Sequence, residues 1–109
     1  MTQDDIMDAL QRQKQQLEGQ LPSLLSRCQT DPERTVLTSA YARASQQWSE
    51  AVNKALRTNN PLLASLVGDL NNLQDDIAAM IAESADFGSL LQKIATGVGI
   101  GAKIVALIK

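Results

Sequence analysis

The sequence contains no histidine and only one cysteine, Cys28. The missing histidine excludes Ser-His-Asp and Cys-His catalytic pairs, zinc sites with histidine ligands and the Glu-x-x-His pairs of di-iron bundles. A single cysteine excludes an intramolecular disulfide and an all-cysteine zinc site. Aromatic residues are equally scarce: Tyr41, Trp48 and Phe87. Strand-rich proteins lean on aromatic and β-branched side chains. This chain leans on Leu, Ala and Gln, which favours helix. It has no glycine-rich phosphate loop, no Asp-x-Asp-x-Asp-Gly calcium loop and no repeat of domain scale.

Basic charge is scarce in most of the chain. All twelve acidic residues lie between Asp4 and Asp86, beside seven basic ones, for a net −5. Residues 87–109 carry three lysines and no acid. An acidic body excludes the broad basic face of a general nucleic-acid binder. Met1-Thr2-Gln3-Asp4-Asp5 has neither the basic stretch nor the apolar run of a secretory leader, so a cytoplasmic location is the expectation. The 109 residues suffice for one domain with a single core.

What the chain does carry is helical patterning. Thr2 and Asp5 form a loose capping box. The first segment, about 3–28, places Leu10, Leu17, Leu21, Leu24 and Cys28 on one side, and Pro22 predicts a kink or break within it. Asp31 is the expected cap of a second helix, about 32–58, with Pro32 at its first position. Its stripe runs Leu37, Tyr41, Ala44, Trp48, Ala51 and Ala55. Asn60 and Pro61 repeat that start signal for a third helix, about 61–84, carrying Leu63, Leu66, Leu70, Leu73, Ile77 and Met80 at heptad spacing. Ser84 or Asp86 would cap a fourth, about 87–108. Four segments of near-equal length on short loops predict an all-α, up-down-up-down four-helix bundle. The alternative keeps the unbroken 3-and-4 stepping from Leu63 to Ile108 as one long helix that dimerises as a coiled coil.

The features that bear on function lie in the last segment. Gly97, Gly99 and Gly101 each cost about 1 kcal/mol in a helix relative to alanine, so something must compensate. Gly97 and Gly101 are four apart and let another backbone approach. The candidate contact residues are Phe87, Leu91, Ile94, Gly97, Val98, Gly101, Lys103, Val105 and Ile108. They serve either the bundle's own packing, a protein partner or second copy, or an anionic membrane surface. Lys93 and Lys103 interrupt the run too much for a good spanning helix. Asp69, Asp75, Asp76 and Glu83 fall mainly opposite the third stripe and are expected in solvent. Tyr41 and Trp48 fit a core, and Cys28 a buried structural thiol. The expected function is a non-enzymatic interaction module that binds a protein partner or itself through the apolar faces of the third and fourth helices. It would use no catalytic residue, cofactor, metal or nucleic acid. Peripheral membrane binding through the basic, glycine-rich last helix is the alternative.

Overall fold

A computed structural model describes residues 2–52, 56–83 and 86–108. It contains α1 (Gln3–Arg27), α2 (Asp31–Val52), α3 (Leu62–Ala82) and α4 (Phe87–Ile108), with no strand among the described residues. The fold is the expected all-α four-helix bundle. Helices of 21 to 25 residues are about 32–38 Å long at 1.5 Å per residue, which accounts for most of the 43 Å long axis.

Hydrogen bonds at the N-terminal ends explain where each helix starts. The Thr2 hydroxyl accepts from the Asp5 N–H (3.2 Å), and the Asp5 carboxylate accepts from the Thr2 N–H (3.1 Å). For α2 the cap is Thr30, not Asp31. The Thr30 hydroxyl accepts from the Glu33 N–H (3.3 Å) while Glu33 Oε1 accepts from the Thr30 N–H (3.1 Å). This reciprocal pair satisfies two otherwise orphaned donors, which Asp31 alone would not. Asn60 Oδ1 accepts from the Leu62 N–H (2.9 Å), as expected of a cap before Pro61. Asp86 takes both the Ser89 N–H (3.0 Å) and the Ser89 hydroxyl (3.1 Å) and starts α4. Ser84, the other candidate cap, lies outside the described residues.

Three sequence expectations are corrected. Residues 61–108 are not one long helix: α3 ends at Ala82, and α4 returns antiparallel to it after the Asp86 cap. Helix α1 is not broken at Pro22, which sits on its exposed side while Leu17 and Leu24 stay locked in the core. Helix α2 (Asp31–Val52) does not run to residue 58. The Leu56 N–H donates to Gln3 Oε1 (3.3 Å) and the Arg57 N–H to the Ile108 carbonyl (3.2 Å), so neither continues a helical ladder. Ala55 lies outside the described residues.

The helices alternate in direction. At one end Ile6, Leu10, Ala51, Leu63, Val67, Ile104 and Ile108 pack together. At the other, Leu17, Leu24, Leu37, Leu73, Ile77, Leu90 and Ile94 do. Around the bundle the order is α1, α2, α4, α3. Helices α2 and α3 stand at opposite corners with no close backbone approach, and Leu56 and Arg57 of their connection pass the start of α1 and the finish of α4 at the end of the bundle.

Candidate functional site

Seven of the nine candidate contact residues lie inside the bundle: Leu91, Ile94, Gly97, Val98, Gly101, Val105 and Ile108 are buried. In the closed bundle their surfaces are occupied by α1, α2 and α3. Phe87 is half-buried with the Arg27 guanidinium 4.8 Å from its ring centre, and Lys103 is exposed. Of the nine, only these two present surface to a partner.

The glycines have a different neighbour from the one the sequence suggested. Between the two apolar clusters runs a polar layer that the sequence analysis missed. Gln13, Gln47 and Gln74 are only 4%, 6% and 1% exposed. Gln13 Nε2 donates to Gln47 Oε1 (3.0 Å), Gln47 Nε2 donates to the Val98 carbonyl (2.9 Å), and Gln74 Nε2 donates to the Ala9 carbonyl (3.2 Å). A backbone carbonyl only accepts, so Val98 and Ala9 fix which end of each amide is which. Gly97 and Gly101 face this layer. A methyl at Gly97 would stand 3.2 Å from Gln13 Oε1, and one at Gly101 would overlap the Gln47 carboxamide. The close approach that the glycines permit is therefore to buried glutamine side chains. A signal for it was available: Gln13 lies three residues after Leu10 and four before Leu17, within the stripe itself.

Exposed apolar surface is concentrated elsewhere. Leu62 is 60% exposed, the most of any large apolar side chain among the described residues. It lines a cleft of about 420 Å³ between the first turns of α3 and the last turns of α4, with Ser65, Leu66, Lys103, Ala106 and Leu107. Pro61 places Leu62 in the first turn of α3, before the stripe that begins at Leu63 turns inward. Lys103 stands at this cleft with no ion-pair partner among the described residues.

The remaining candidates are solvated or structural. Asp69, Asp75, Asp76 and Glu83 are exposed, and Asp75 pairs with Arg12 across α1 and α3. Among the described residues no three acidic or thiol groups converge on a metal-binding position. Tyr41 and Trp48 are half-buried at the edge of the core, with the Lys14 ammonium 4.7 Å from the Trp48 ring centre. Cys28 is buried, its thiol donates to the Leu24 carbonyl (3.5 Å), and burial pushes its pKa up, away from the reactive thiolate. Against protein-family models, curated proteins and solved structures, this chain finds no match.

Proposed function

We propose that the protein is a non-enzymatic interaction module that binds a protein partner, or a second copy of itself, through the cleft between α3 and α4. The carrying observation is the Leu62–Leu66–Leu107 surface. It is concave, which suits an inserted side chain of a partner better than a flat surface does. Lys103, exposed at this apolar cleft and without an ion-pair partner among the described residues, favours a partner with a carboxylate beside its apolar anchor. The test is photo-crosslinking in the cells of origin, from a reactive side chain at position 62 and, as control, at the exposed Glu18. A discrete adduct from position 62 alone supports the proposal, and its mass separates a second copy from a different protein. No adduct, or the same pattern from both positions, overturns it.

Membrane binding is kept as a second reading on one observation. Despite Lys93 and Lys103, α4 is the helix among the described residues that by length and composition alone is apolar enough to cross a bilayer, though 44% of that apolar stretch is buried in the bundle. Its buried face would have to leave α2 and α3 to meet lipid, and its two lysines would sit in the headgroups. Co-flotation with anionic liposomes that fades with added salt supports this reading. Equal behaviour with neutral and anionic liposomes rejects it.

A further inference from the structure

Two side-chain oxygens in the polar layer, Gln13 Oε1 and Gln74 Oε1, are buried without a hydrogen-bond partner in the protein. Both residues line one small cavity, of about 10 Å³, together with Gln16, Leu17, Ile77, Ile94 and Gly97. The Ala9 carbonyl orients Gln74, and the Val98 carbonyl orients Gln47, whose Oε1 in turn orients Gln13, so both free atoms are acceptors and rotating either amide would break an existing bond. The layer therefore lacks two donated hydrogens and has space for one small molecule. From this we infer that Gln13, Gln74 and Gly97 form a binding site for a single internal water, which donates one hydrogen to each glutamine oxygen.

The chemistry selects water over other occupants. An uncompensated buried amide oxygen is costly, and one water with two acceptors removes both penalties at once. The cavity volume is that of about one water-sized sphere, the least that holds a water. No ionised group lines the cavity, so an ammonium or alkali ion would lose its hydration for only two neutral oxygens. Gly97 lines the cavity. A methyl there would lie 3.2 Å from Gln13 Oε1 and 3.4 Å from Leu73 Cδ2, in the space the water needs. This gives Gly97 a purpose that helix propensity opposes.

The experiment is solution NMR of the full chain, reading through-space transfer from water to the carbon-bound protons of Gly97, which do not exchange. The expected result is a cross-peak with the sign of a slowly tumbling, bound water. Gly97→Ala should lose it, while Gly99→Ala, where an added methyl meets open space, should keep it. No such cross-peak in the folded natural chain overturns the inference by itself, whatever the variants do. Its survival in Gly97→Ala overturns it too. Replacing sodium chloride with ammonium chloride at equal ionic strength should leave the Gln13 and Gln74 amide shifts in place. A saturable shift there would assign the site to a cation and so reject the water.

Discussion

Replacing Gly101 by alanine separates helix propensity from packing. In an open helical site the change from glycine to alanine stabilises by about 1 kcal/mol. Gly99 is such a site, since nothing lies within 4 Å of an added methyl, and Gly99→Ala should show that gain. At Gly101 the methyl would overlap Gln47 Oε1 and lie 2.9 Å from its Cδ and 3.2 Å from Gln13 Nε2. The helix backbone need not move, but the carboxamide must. Its displacement breaks the bond from Gln13 and the bond to the Val98 carbonyl, and leaves the Gln13 donor buried without an acceptor. The net hydrogen bond from Gln47 to the Val98 carbonyl, at about 1 kcal/mol, and the orphaned Gln13 donor, at about 1–3, oppose a gain of about 1. Gln47 has an escape route, because it also lines an outward groove with Arg43, Glu50 and Ala102. That places the net loss at the lower end, about 1–2 kcal/mol. Urea unfolding at 25 °C measures it, with Gly99→Ala as reference. In a Gln47→Ala background the obstacle is gone, and Gly101→Ala should turn stabilising by about 1 kcal/mol. If Gly101→Ala is as stable as Gly99→Ala in the natural background, the close approach of Gln47 does not explain the glycine and the reasoning fails.

Four further outcomes are expected. Thr30→Ala, which removes one arm of the cap on α2, should cost about 1 kcal/mol in urea unfolding. Leu62→Asp should leave stability within about 0.5 kcal/mol, because the side chain is mostly exposed, and a larger loss would mean that Leu62 belongs to the core. The Thr2 N–H, and secondarily its hydroxyl, hold the Asp5 carboxyl below its ordinary 3.8. A lowered folded-state pKa gives stability that is present above the ordinary value and lost as pH falls through the folded one. Thr2→Ala should raise the Asp5 pKa partway in an NMR titration, since the backbone N–H remains, and no change would refute the hydroxyl's part. Burial raises the Cys28 pKa, so the linked stability is present below the ordinary 9.0 and declines as pH rises above it. Its thiol should react with a disulfide reagent at pH 8 much more slowly folded than in urea.

Helix existence and the apolar stripes were legible because both are local: caps and 3-and-4 spacing need no knowledge of what lies across the core. The Asn60 and Asp86 caps could be read from single residues. At Thr30 the conspicuous Asp31-Pro32 pair drew attention from the Thr-x-x-Glu spacing one residue earlier. The break offered as one outcome at Pro22 does not occur, because the proline lies on the exposed side while Leu17 and Leu24 hold the helix in the core on either side of it. Leu66 and Met80 keep heptad spacing yet stay half-buried, while Val67 and Gln74 take the inner positions, a rotation only the neighbouring helices determine. The glutamine layer was hidden for a related reason. Each glutamine holds stripe spacing in its own helix, but its polarity reads as solvent-facing until Gly97 and Gly101 are seen to stand against Gln13 and Gln47. The candidate contact residues were chosen for apolar character, the same character that places seven of them in the core.

The diagonal crossing between α2 and α3 changes what holds the molecule together. The two halves, α1–α2 and α3–α4, are antiparallel hairpins mated along α1 with α3 and α2 with α4, and the chain between them, where Leu56 and Arg57 bond to Gln3 and Ile108, also keeps one half near the other. That stretch acts as a tether with an effective concentration. If it were shortened below the diagonal, each α3–α4 half would have to seek the α1–α2 half of another copy, and an exchanged dimer would result with the same core formed twice. If it were cut, folding would become an association, and the stability of the core would be read as the dissociation constant of two hairpins.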